Sequence, residues 1–210
     1  MYRHHSAGVL WIHSARAALI PHVEWAIARA GMTLPDGTRP GRSTWRSRPD
    51  DDSRMCAELE WRGPAGAAGR LVADLCRWPD LTFEVTEDAA FADAPDQPTH
   101  GERHCHVPAL GTWSGVTDAI GDVQVGEQRL RAIMAAHRGD AAGLARAIDD
   151  ELGTAWDAAL EPLRPGTAGH EPFVPATDSL ADAPAPPPAD APGDAVDCDV
   201  VDFLSRRAVM

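Results

Sequence analysis

The chain has 210 residues and a formal charge of −13. That length suffices for one well-cored domain with additional segments, and the charge argues against nucleic acid or an anionic membrane as principal partner. All 19 basic residues are arginine, so no Schiff-base or phosphate-loop lysine exists. The cysteines Cys56, Cys76, Cys105 and Cys198 form no C-x-x-C pair and are expected as reduced thiols in a cytoplasm. No segment reaches the ~18 apolar residues of a membrane span. The first apolar run, Val9–Ile12, is too short for a signal peptide.

Periodicity predicts strands at Gly8–His13, Ser43–Arg48, Met55–Trp61 and Leu81–Thr86, and helices at Leu19–Ala30 and Gly66–Arg77. Strand, helix, strand, strand, helix, strand is the ferredoxin-like order. The first strand is apolar on both faces, so both require cover, from the second half of the chain or from a second copy. In the third strand Met55, Ala57, Leu59 and Trp61 oppose Cys56, Glu58 and Glu60; in the fourth Leu81, Phe83 and Val85 oppose Thr82, Glu84 and Thr86. Val23, Ile27 and Ala30 form the inner side of the first helix, with Gly31 ending it. Ala68, Leu71, Val72, Leu75 and Cys76 make one stripe on the second. Trp25 sits off the first helix's stripe.

The second half predicts strands at Glu102–Val107, Thr112–Thr117 and Asp122–Val125, then helices at Glu127–His137 and Ala141–Leu160, the latter capped by Asp140. Leu130, Ile133, Met134 and His137 form the apolar side of the first of these helices. The expected fold class is α+β. A ferredoxin-like βαββαβ sandwich over 8–88 is extended by a β-hairpin and two C-terminal helices over 100–164, within a single domain 1–164. Residues 165–210 are rich in Pro, Ala and Asp, lack apolar periodicity, and are expected as a disordered tail. Its end, Asp197–Met210, is acidic, then apolar, and suits folding in a partner's groove.

Further residues carry a family likeness. Gly8-Val9-Leu10-Trp11-Ile12-His13-Ser14-Ala15 and Pro21-His22-Val23-Glu24-Trp25-Ala26 begin it. Glu58-Leu59-Glu60-Trp61, Phe83-Glu84-Val85-Thr86-Glu87 and Gly101-Glu102-Arg103 continue it, and Pro108-Ala109-Leu110-Gly111 with Leu152-Gly153-Thr154-Ala155-Trp156-Asp157 close it. Together they resemble an actinobacterial family catalogued as domain of unknown function 3145, over residues 7–164. The resemblance implies a cytoplasmic actinobacterial protein with no assigned activity. His104-Cys105-His106 departs from the aromatic and hydroxyl residues of that part of the family, and the Pro-rich tail lies outside the likeness.

Histidine and cysteine are good zinc ligands. On a strand, however, His104 and His106 share one face and Cys105 takes the other, so the three cannot bind one ion. His13 ends the first strand, Ser14 and Pro21 open the first helix, where free N–H groups can receive an anion, and His22 and Glu24 belong to its early turns. With Glu102 and Arg103 from the hairpin, these are the candidate ligand-binding residues. No nucleophile elbow is present. Gly63, Gly66 and Gly69 match neither the phosphate-loop nor the dinucleotide pattern. The sheet's polar face lacks stacking aromatics for RNA.

The resulting reading is a non-catalytic cytoplasmic module that binds a protein partner, a second copy of itself or a small ligand, with no cofactor, no catalytic residue and no metal. Two alternatives stand beside it. One is a small enzyme using His22 or His13 as acid/base with Glu24 orienting it. The other is a metal-binding protein through His104 and His106.

Overall fold

The computed structural model describes residues 5–88 and 100–164. The chain divides into two units, Met1–His170 and Glu171–Met210, and every described residue belongs to the first. The expected tail at 165–210 lies outside the described residues.

The strands are β1 (His5–Arg16), β2 (Trp45–Ser47), β3 (Arg54–Pro64), β4 (Thr82–Glu87), β5 (Gly101–Val107), β6 (Gly111–Thr117) and β7 (Val123–Gln124). The helices are α1 (Ile20–Ala30), α2 (Ala67–Leu75), α3 (Glu127–Ala136), α4 (Ala141–Leu152) and α5 (Thr154–Leu160). The architecture is α+β. All seven strands form one antiparallel sheet in the order β2-β3-β1-β4-β5-β6-β7. The expected hairpin is therefore β5–β6 continuing the sheet beyond β4, with β7 added at the edge. No described helix is long and apolar enough to cross a membrane.

Alternation sorts the sheet into two faces. The inner face carries Leu10, Ile12, Leu59, Trp61, Phe83 and Val85, all buried against Val23, Ile27, Leu71 and Leu75 of α1 and α2. Pro21 sits in the first turn of α1 and Gly31, at φ +82°, ends it. At the start of α2, the Glu87 carboxylate accepts the Gly66 N–H at 2.6 Å and the Ala68 N–H at 2.9 Å, satisfying two of the helix's orphan donors. The other, outer face carries a smaller cluster of Cys105, Trp113 and Leu160, with Trp156 and Leu163 packed beside it.

Three expectations need correction. Ala141–Leu160 is not one helix. Gly153 adopts φ +76° between α4 and α5, and a Cβ there would lie 2.7 Å from the Trp113 ring, so the turn and the close approach both require glycine. Among the described residues the C-terminal helices thus number three. The apolar side of α3 is largely uncovered: Ile133 is buried but Leu130 and Met134 are exposed. Finally, β1 is not dry on both faces. Val9 and Trp11 are half-buried, because the outer cover lies over β5 and β6 and leaves the Glu58 and Glu60 side of the sheet open.

Asp140 caps α4 by accepting the Gly143 N–H at 2.9 Å. Asp140→Ala is expected to lower stability by about 1 kcal/mol. A urea titration checks this as a lower midpoint at unchanged slope.

Candidate functional site

A bulge in β1 sets the outer face. Ile12 pairs with Ala57 and Ala15 with Met55, so β1 carries one more residue than β3 over this stretch. The same slip occurs against β4, between Ile12 and Ser14. Alternation after Ile12 turns His13 outward, the extra residue keeps Ser14 on the same side, and the His13 Nε2 lies 3.6 Å from a Glu84 oxygen. That nitrogen is buried and has no partner within hydrogen-bond distance among the described residues.

Glu84 is 5 % exposed and anchors an ionic network. Arg103 Nε donates to it at 2.7 Å, and Arg164 Nη2 donates to both its oxygens at 3.1 and 3.2 Å. The same two guanidinium groups hold Asp157 of α5, Arg164 at 2.9 Å and Arg103 through Nη1 and Nη2. Arg103 also lies over the Trp113 ring, 5.9 Å from its centroid. Burial alone would raise the Glu84 pKa. The His13 ring and the two guanidinium charges outweigh it and hold the carboxyl down at about 2. Asp157 is lowered in the same way, against its own desolvation, by Arg103 and Arg164. Every charge in this network is answered by another inside it, and the network fastens α5 to the sheet.

Beside it, a recess of about 380 Å³ is lined by Thr86, Asp88, Arg103, Thr117, Asp118 and Ile120. Asp118 is occupied with its own loop, accepting the N–H groups of Ile120 and Asp122.

On β5, His104 and His106 face inward and Cys105 outward, in register with Val85, Phe83 and Glu84 respectively. His104 bonds Ser114 Oγ at 2.7 Å and Glu102 at 3.1 Å. His106 bonds Thr112 Oγ1 at 2.8 Å and stacks on Phe83, and burial lowers its pKa. Burial pushes the Cys105 thiol up to about 12, which leaves it protonated and unreactive at neutral pH. Among the described residues no three His, Cys, Asp or Glu side chains cluster to hold a metal ion.

The side of α1 and α2 turned away from the sheet is different in kind. Here a groove of about 370 Å³ runs between the two helices, with Ala26 among its lining residues. Trp25 stands in it 59 % exposed, with the Arg29 guanidinium 5.2 Å from its ring centroid. Opposite, His22 stacks on Trp78 at 5.1 Å. Asp74 and Arg77 complete the rim; Asp74 lies 3.5 Å from Arg29.

A family model described as protein of unknown function, DUF3145, matches residues 9–173. The chain belongs to this family. No curated protein and no solved structure matches the chain.

The candidate residues of this DUF3145 chain fall into separate places. His13 and Arg103 meet at Glu84, with Ser14 beside them on the bulge. His22 and Glu24 belong to α1 and engage Trp78 and Trp45; Glu24 accepts the Trp45 indole N–H at 3.1 Å. Glu102 is tied to His104. The residues that complete the network, Glu84, Asp157 and Arg164, were not among the candidates. Glu84 alternates with Thr82 and Thr86 and reads as solvent-facing, and its partner Arg164 is 80 positions away. Glu84 and Asp157 both lie within blocks carrying the family likeness, which is the one signal that points at them.

Proposed function

We propose that this DUF3145 chain is a non-catalytic binding module that recognises a protein partner through the groove between α1 and α2. The observation that carries this reading is Trp25. It is a large aromatic side chain, off the core stripe, 59 % exposed and flanked by arginine. Exposed tryptophan and arginine are the residue types that dominate recognition surfaces. The groups with chemical potential support the same reading by their engagement: Glu84 is ionised and neutralised by two arginines, and Cys105 is buried and protonated.

Two finer readings accompany it. The order β2-β3-β1-β4, with α1 and α2 on one face, supports treating 8–88 as a ferredoxin-like unit. The unpaired thiols of Cys56, Cys76 and Cys105 favour a reducing, cytoplasmic setting.

The test compares the chain with Trp25→Ala. A partner captured by the wild-type protein is purified and its Kd measured against both. The variant is expected to bind about thirtyfold more weakly, the loss of a hot-spot residue of about 2 kcal/mol, with an unchanged melting temperature. Equal affinity for the two proteins would refute the groove as the recognition surface.

A further inference from the structure

We infer that the groove between α1 and α2 takes a short extended segment of a partner protein bearing one or two carboxylates. This rests on the binding-module reading and names the chemistry of the partner.

The chain carries a formal charge of −13, yet this groove is rimmed by Arg29, Arg77 and His22 against a single acid, Asp74. Asp74 is matched by Arg29. Arg77 is exposed and has no ion-pair or hydrogen-bond partner among the described residues, so one cation stands over the groove uncompensated. A guanidinium receives a carboxylate through two parallel N–H donors. Between the charges, Trp25 and the stacked His22–Trp78 pair offer aromatic faces, and the small Ala26 at the lining leaves room for a side chain or a proline ring to lie between them. Aromatic grooves suit extended backbone, which brings little ordering cost when it binds.

The same charges limit the ligand. An uninterrupted polyanion would meet the net charge of the whole chain along its length, whereas one or two carboxylates meet only Arg77 and the Arg29 edge. A single-stranded nucleic acid, with a charge on every nucleotide, fits the aromatic faces but not this field.

The experiment uses the full-length chain on an immobilised array of short random-sequence peptides graded in net charge, with single-stranded oligonucleotides on the same surface. Three proteins are compared: the wild-type chain, Arg77→Glu and Trp25→Ala. Trp25 is exposed on α1 and Arg77 is exposed in the turn after α2, so each variant is expected to keep the wild-type melting temperature. The expected result is that wild-type binding rises from neutral to mildly acidic peptides. Arg77→Glu should weaken the acidic ones about tenfold and spare the neutral ones, and Trp25→Ala should weaken both. Added salt should diminish the acidic preference and leave the neutral binding in place. Binding without charge preference, or an unchanged preference in Arg77→Glu, would overturn the acidic partner while leaving the groove as a recognition surface. Peptide binding untouched by Trp25→Ala would overturn the groove itself. Oligonucleotide binding lost on Trp25→Ala, with no peptide binding, would replace the protein partner by nucleic acid.

Discussion

Replacing Glu84 by alanine is expected to lower the unfolding free energy by about 3 to 5 kcal/mol, the range for breaking a buried ion pair from one side. The carboxylate is 5 % exposed and accepts three arginine nitrogens: Nε of Arg103, and Nε and Nη2 of Arg164. Without it both guanidinium groups stay half-buried with Asp157 as their shared countercharge, and the buried His13 ring loses its nearest charge. Urea denaturation followed by tryptophan emission checks the loss. Arg103→Ala, made alone and together with Glu84→Ala, closes a cycle. The double variant should fall short of the sum of the single losses by about 1 to 3 kcal/mol, because each single change strands a partner that the double change removes.

Acid provides an independent check of the same group. The Glu84 pKa is depressed from 4.5 in an ordinary environment to about 2 in the folded protein. A depressed carboxyl contributes stability that is fully present above the unfolded value and disappears as pH falls through the folded value. The span corresponds to about 3 kcal/mol, at 1.36 kcal/mol per pH unit. The wild-type chain should therefore lose this stability between about pH 5 and pH 2. Glu84→Ala, weaker at neutral pH, should show a flatter acid profile. Asp157, also depressed, adds to the fall in the wild-type protein. Parallel acid profiles for the two proteins would mean that Glu84 is not ionised in the way the geometry requires.

Local pattern made the core of this fold legible, and long-range pairing hid the rest. Strict alternation in β3 and β4 and the stripe on α2 are short-range facts, and the observed elements follow them within a few residues. The split at Gly153 was less visible, because Leu152, Ala155 and Trp156 keep the helical period across it. The break is the left-handed Gly153 backbone, and the Trp113 ring that lies where a Cβ would stand is a long-range contact that the local period does not show. The bulge at His13 and Ser14 leaves no glycine or proline to mark it. That matters for the site, since one added residue decides whether Ser14 faces the inner core or stands beside His13 on the Glu84 side. Glu84 itself, between Phe83 and Val85, reads as the polar side of a half-exposed strand. Its burial depends on α5 and on Arg164, elements 70 and more positions distant in sequence, which no local period encodes. Trp25 was legible for the opposite reason: its exposure follows from the helical period of α1 alone.

The outcome of adding a single methyl group separates close backbone approach from intrinsic propensity. Gly8 lies in β1 opposite Trp61, and a Cβ built on it would stand 2.0 Å from the Thr86 carbonyl oxygen and 3.0 Å from the Trp61 ring. That oxygen accepts the Trp61 indole N–H at 3.2 Å, while the Thr86 hydroxyl accepts the Val9 N–H at 3.1 Å. Trp61 thus reaches across β1 to β4 over the space that Gly8 leaves empty. Gly8→Ala must push β4 away from β1 and break the indole bond, at the centre of the sheet where both neighbours are paired. The expected cost is about 3 kcal/mol, at the upper end for overpacking a core. In a position free of contacts the same change would stabilise, by restricting the unfolded chain. Gly69, within α2, is such a position, with nothing beyond its chain neighbours and the helix's own backbone within 4 Å of a built Cβ. Gly69→Ala is expected to raise stability by about 0.5 to 1 kcal/mol. Thermal unfolding of the two variants should therefore move the midpoint in opposite directions. A small or positive shift for Gly8→Ala would mean that β1 and β4 are not held at this separation by Trp61, and that the inner core tolerates a wider sheet.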